Sequence, residues 1–248
     1  MAAVFPAAPA ARADDIVALY QASWAGVPAG RIRLILHEGD GAYRDEIAVG
    51  SQGLPRLVTK FRGSAVASGQ LRGNQPPQPA SFDAAYDLRK RRDRRLVMPF
   101  AARDGALIAE RGPGDTSRKP PLAEKLRRDV LDPLSALTAI RQALRRGESA
   151  FRVPVYDGAR RFDVEASILP GANGDGTGLH LALTLRAIAG FKGESSDDGD
   201  PDDAPRPATL TLSDDGRFLP QQVSVPIFFL PLTVELVKTC EAAANCTW

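Results

Sequence analysis

Two histidines, His37 and His180, are the only imidazoles in this 248-residue chain, and Cys240 and Cys246 are its only thiols. Imidazole, hydroxyl and phosphate chemistry need partners at set spacings. Zinc hydrolysis uses two histidines and a glutamate on one helix turn, acyl transfer a glycine-flanked serine at an elbow, and nucleotide binding a glycine loop ending in lysine. No such string is present. Both histidines fall in stretches that alternate like strands, where an ordinary strand position is a simpler reading than a metal ligand. The 30 aspartates and glutamates show no spacing that singles out an acid pair. The expectation is a non-catalytic protein with no cofactor and no metal site.

Other residues come closer to a binding function. Asn173-Gly174-Asp175-Gly176-Thr177-Gly178 alternates oxygens and glycines like the first half of a calcium loop. Its twelfth position is Thr184, which cannot supply a bidentate carboxylate, so a glycine-rich hairpin turn accounts for it. Asp197, Asp198, Asp200, Asp202 and Asp203 read as a solvated acidic loop. Arg89-Lys90-Arg91-Arg92-Asp93-Arg94-Arg95 is either a charged hairpin tip that blocks edge pairing or a surface for an anionic lipid headgroup. The strongest hint is apolar. Ile227-Phe228-Phe229-Leu230, followed by Leu232, Val234 and Leu236, makes both faces of one strand hydrophobic, whereas a strand with one wet face alternates. That strand is packed on both sides, or it lines a groove. The candidate ligand-binding residues are therefore Ile227, Phe228, Phe229 and Leu230 for an apolar chain, with Arg89, Arg91, Arg92 and Arg94 for its headgroup.

Location follows from the ends of the chain. Ala11-Arg12-Ala13 before Asp14-Asp15 has the form of a secretory cleavage site, so residues 1–13 are read as a signal-peptide remnant and 14–248 as one β-rich domain. A lone pair of cysteines six residues apart in an exported chain reads as a disulfide, because this is not a standard zinc or redox spacing. The expected compartment is the periplasm. A net charge of +2, from 32 basic and 30 acidic residues, argues against a nucleic-acid partner. No run is apolar for the ~18 residues that span a bilayer.

These groups must be positioned by strands. Alternation with turn residues between predicts strands over 16–24, 31–38, 43–49, 65–72, 81–88, 95–100 and 106–110. Residues 26–30 read as a turn and the proline-rich 75–79 as a connection. Asp132-Pro133 then opens a helix as N-cap and first position, Leu134, Leu137, Ile140 and Leu144 fall at helical spacing, and Gly147 follows its end. Residues 122–129 suggest a shorter helix before it. Strands resume over 151–156, 160–168, 178–188, 208–213, 218–225 and 227–237. The pattern is mainly β: a long curved antiparallel sheet, as an open barrel or β-spiral, wrapped around one central α-helix.

The helix motif Asp132-Pro133-Leu134-Ser135-Ala136-Leu137, with Arg141 and Gly147, then Val155-Tyr156-Asp157-Gly158-Ala159-Arg160-Arg161-Phe162-Asp163-Val164 and Arg186-Ala187-Ile188-Ala189-Gly190-Phe191, resembles domain-of-unknown-function family 3108. The resemblance implies an exported envelope protein with an open sheet similar to lipoprotein carriers of the Lol type. It carries no catalytic residues. The functional expectation is a periplasmic binding protein for a lipid or other apolar ligand, able to contact a membrane surface without crossing it. The alternatives are an envelope scaffold that engages a protein partner and, more weakly, a metal-binding protein.

Overall fold

Alternation of apolar and polar residues produces thirteen strands among the described residues, in chain order. They are β1 (Ile16–Trp24), β2 (Val27–Gly39), β3 (Ala42–Ser51), β4 (Phe61–Gln70), β5 (Gln78–Leu88), β6 (Arg91–Arg103), β7 (Ala106–Ala109), β8 (Ala150–Tyr156), β9 (Arg161–Ile168), β10 (Leu179–Ala189), β11 (Arg206–Leu212), β12 (Pro220–Ile227) and β13 (Leu230–Cys240). The one α-helix among the described residues is α1 (Pro133–Arg145). The computed structural model describes residues 15–53, 61–88, 91–117, 120–170, 178–191, 204–227, 230–240 and 246, with backbone alone at 88, 91–93 and 227. Residues 1–13, the loop at 173–177 and the acidic run 197–203 lie outside the described residues.

All thirteen strands form one antiparallel sheet in the order β7-β6-β5-β4-β3-β2-β1-β13-β12-β11-β10-β9-β8. It consists of two meanders joined where the first strand meets the last, with Val17 opposite Cys240 and Trp24 opposite Leu232. The two edges do not stay open. The backbone of residues 127–131 runs between them: Ala109 N–H donates to the Arg127 carbonyl (3.0 Å) and Asp129 N–H to Leu107 (2.7 Å). On the other side Leu131 N–H donates to Pro154 and Tyr156 N–H to Leu131, each at 2.8 Å. This seam satisfies edge groups that would otherwise recruit another chain, and it nearly closes the barrel.

Antiparallel registers sort the turns onto two ends. The β1–β2, β5–β6, β8–β9 and β12–β13 tips stand at one end, the mouth. The β2–β3, β4–β5, β6–β7 and β11–β12 turns stand at the other, the base. Helix α1 plugs the base. Asp132 caps it by accepting from Leu134 N–H (3.0 Å) and Ser135 N–H (2.9 Å), which satisfies two of its orphan donors. Ile140 and Leu144 pack with Val155, Leu181 and Leu210 of the second meander. Leu134 packs with Tyr20, Leu36 and Met98 of the first meander.

Three expectations change. The turn read at 26–30 is only Ala25-Gly26, both with positive φ (50° and 78°), and Pro28 and Gly30 belong to β2 beside a register shift at Ala22/Ser23. A bulge accommodates proline and glycine that sequence reading assigns to a turn. The shorter helix over 122–129 is a single 3-10 turn, Glu124–Leu126. The strand expected over 227–237 is divided: Ile227 ends β12, Leu230 begins β13, and the two pair across a hairpin flanked by Pro226 and Pro231. Ile227 to Leu230 is therefore a hairpin tip and not a stretch of one two-faced strand. Cys240 and Cys246 lie at disulfide distance, with Cα atoms 5.7 Å apart, and cover Val17, Leu19 and Ile35 on the outer face of the sheet.

Candidate functional site: the barrel mouth

Beneath the mouth, α1 is tied to β2 and β3 by buried polar side chains. Tyr43 Oη lies 2.6 Å from Ser135 Oγ, Ser135 Oγ donates to the Asp132 carboxylate, and Thr138 Oγ1 donates to Asp45. Arg141 donates to Glu38 and, at 3.0 Å, to the Arg217 carbonyl. Arg145 reaches the other Glu38 oxygen at 2.5 Å. Burial governs the electrostatics. It pushes the Asp45 carboxyl up to about 7 against the opposing Thr138 hydrogen bond and the Arg141 charge. It lifts Asp132 to about 6, raises the Tyr43 phenol and lowers Arg141. A carboxyl near 7 can gain or lose a proton under ordinary conditions. Asp45 is 0% exposed, however, and this cluster holds the plug in place without presenting a reactive atom to solvent.

Above it the barrel is open. A cavity of about 810 Å³ is walled by Ile47, Val49, Ala65, Ala84 and Leu96, with Phe61, Tyr86 and Phe191 higher up. Arg94, Arg160 and Arg206 line the same space against one carboxylate, Asp157. The wall is apolar because inward positions of β3 to β6 alternate as sheet chemistry requires, and because Ala65 and Ala84 leave room that larger side chains would fill.

The rim opposite β6 is built by the β8–β9 tip. Asp157 accepts from Ala159 N–H (3.0 Å) and Arg160 N–H (2.7 Å) and holds the Arg160 guanidinium at 2.7 Å. That guanidinium stands 5.6 Å from the centre of the Phe191 ring, within cation–π range. Two glycines make the tip possible. Gly158 has φ +89°, and a Cβ there would sit 2.6 Å from Leu96 Cδ1. Gly190 has φ +83°, and its Cβ would sit 2.2 Å from the Ala159 carbonyl oxygen. Only glycine meets both the backbone angle and the space.

Two other depressions among the described residues are of similar scale. A cleft of about 870 Å³ at the base is lined by Pro76, Pro77, Phe151, Ala139 and Ala143. Two of its arginines are already paired, Arg146 with Glu148 (2.7 Å) and Arg152 with Asp163 (2.5 Å). A shallow groove of about 570 Å³ lies on the outer face between Arg31, Arg33 and Arg62. Of these three, the mouth joins a deep apolar wall to an excess of cations at its lip.

Of the residues expected to bind ligand, Arg94 lines the mouth. Arg91 and Arg92 have their backbone at the β5–β6 tip, and Leu230 is exposed at the β12–β13 tip. Ile227 is placed by its backbone only, and Arg89, Phe228 and Phe229 lie outside the described residues. The two tips share the mouth end, with β4, β3, β2 and β1 between them in the order of the sheet. Arg160, Arg206, Tyr86 and Phe191 were not legible as site residues. The signal available for them was the Asp157-Gly158 turn and the Gly190-Phe191 strand end. His37 Nδ1 lies 2.5 Å from Asp15 at the surface, and His180 Nδ1 lies 3.1 Å from Thr211 Oγ1. No cluster of three metal-ligating side chains occurs among the described residues, and no helix among them is long and apolar enough to cross a membrane.

Comparison with solved structures finds similarity to the crystal structure of a β-barrel-like protein of the domain of unknown function DUF1849 from Brucella abortus. The TM-score is 0.56 at 10% identity, over 93% of this chain and 99% of that one. At that identity the likeness is one of fold. No curated protein matches. The sequence model of DUF3108, a protein family of unknown function, matches residues 19–237, a span that holds nearly the whole sheet, the helix plug and the mouth, and the chain belongs to that family.

Proposed function

We propose that this protein is a non-catalytic binding protein of the bacterial periplasm that takes an apolar chain carrying an anionic group into the barrel mouth. One observation carries the reading: an open apolar cavity of about 810 Å³ whose lip holds Arg94, Arg160 and Arg206 against a single carboxylate. Each methylene buried there gains about 0.8 kcal/mol, so a partly inserted acyl chain offsets the cost of association. The arginines orient the charged end outward, where water and guanidinium groups solvate it. The cysteine pair at disulfide distance supports an oxidising compartment. The rival reading, a scaffold that recruits a protein through a sheet edge, is weakened because both edges already bond to residues 127–131.

Titration with a fluorescent fatty acid below its micelle concentration tests the proposal. Saturable binding is expected. Ala84→Trp, which fills the cavity, should abolish it, and Arg94→Gln should weaken it most at low salt. No saturable binding by the folded wild type, or binding unchanged in Ala84→Trp, would overturn the reading.

A further inference from the structure

Two neighbouring hairpin tips at the mouth end are apolar. Trp24 pairs with Val27 across the β1–β2 tip and with Leu232 of β13. Ala25 N–H donates to the Pro231 carbonyl at 3.0 Å, which sets the β1–β2 and β12–β13 tips side by side. Trp24, Val27 and Leu230 are 44%, 46% and 45% exposed. Large apolar side chains grouped in water on adjacent tips mark a contact surface. On the adjoining strands, Arg31 and Arg62 toward the mouth end and Arg33 at the middle of β2 line the outer groove together with Asp87, and Ala48, Gly50 and Ser64 leave it open.

We infer that the mouth end docks on the surface of an anionic lipid bilayer. Trp24, Val27 and Leu230 enter the boundary between headgroups and acyl chains, and Arg31 and Arg62 meet lipid phosphates. Tryptophan suits that boundary because its ring is apolar while its N–H stays hydrated. Guanidinium groups match phosphate oxygens in pairs. The apolar tips and the two arginines lie on the arc β13-β1-β2-β3-β4, so the docked molecule leans toward that arc. Docking in this pose turns the mouth toward the leaflet. The inference rests on the mouth-binding reading for what the mouth then receives, but docking itself is a separate event.

The experiment uses the full chain with Trp248→Phe, which leaves Trp24 as the single tryptophan of the two, and vesicles of phosphatidylcholine with or without phosphatidylglycerol. A blue shift of Trp24 emission and co-sedimentation are expected with phosphatidylglycerol only, weakening as salt rises. In the same Trp248→Phe chain, with sedimentation as the readout, Trp24→Ser with Leu230→Ser should lower partitioning about tenfold or more. Arg31→Gln and Arg62→Gln should lower it about fivefold each, the equivalent of about 1 kcal/mol per cation, and flatten the salt dependence. No sedimentation with either vesicle, or binding kept by both sets of variants, overturns the inference and leaves the tips to a protein partner. The fatty-acid titration separates the two readings, because the tip substitutions should not change it. Docking without amphiphile binding overturns the mouth reading, and amphiphile binding without docking overturns this one.

Discussion

Asp45 carries a testable pH dependence. Burial lifts its carboxyl to about 7 and that of Asp132 to about 6, whereas in the unfolded chain both give up their protons near ~4. Between those values the folded state holds protons that the unfolded state has released. Their contribution to stability is therefore full below about 4 and is lost as pH rises through 7. The urea midpoint should fall between pH 5.5 and pH 8, and Asp45→Asn, which keeps an acceptor for Thr138, should flatten most of the fall. A midpoint that rises over this interval would refute the assignment. Glu38 is the counterpart case. It neutralises Arg141, which is 1% exposed, so Glu38→Ala leaves a buried unpaired cation and should cost about 3 kcal/mol or more in a denaturant titration. None of this was legible in the sequence. Asp45, Glu38 and Arg141 look like ordinary strand and helix charges until the helix is threaded through the barrel, where Asp45 meets Thr138 across 93 residues of chain and Glu38 meets Arg141 across 103.

At the scale of the element, local chemistry marked the helix and most strands. The Asp132-Pro133 start and the Gly147 end announced α1, because a cap and a left-handed residue act within one turn. Ile140, buried in the core cluster, should cost about 2–5 kcal/mol on truncation to alanine. Leu137, only partly buried against the other cluster, should cost less. A result in the reverse order would mean that the helix is rotated from the orientation described. Boundaries failed where a rule of local sequence met a sheet that could absorb the exception. Pro28 and Gly30 sit beside a bulge, and Ile227-Phe228-Phe229-Leu230 contains no turn residue although a hairpin reverses there. The β8–β9 tip was legible as a turn but not as the rim of a site, since Leu96, which it touches, comes from the other meander. Gly190→Ala should destabilise the protein and disturb the mouth, because its Cβ would meet the Ala159 carbonyl oxygen; thermal melting together with fatty-acid titration would detect both effects.

For the whole molecule, sequence periodicity identified a curved sheet around a helix, but not how the sheet closes. Closure depends on residues 127–131, which are not a strand and carry no alternation, and on the pairing of β1 with β13. The candidate groove was accordingly placed on one strand when the cavity belongs to the space between two meanders. The pairing of β1 with β13 also has a consequence in time. Tyr20 donates its hydroxyl to the Pro220 carbonyl, 200 residues away along the chain, at 2.9 Å, and every rung of the β1–β13 ladder spans a comparable loop. Each meander can zip from its own short hairpins, but the central joint must wait for β13, and contacts of such long sequence separation are slow to form. A chain emerging N-terminus first holds β1 with one side unpaired until β13 arrives more than 200 residues later, so that edge stays exposed to aggregation for the whole of that interval.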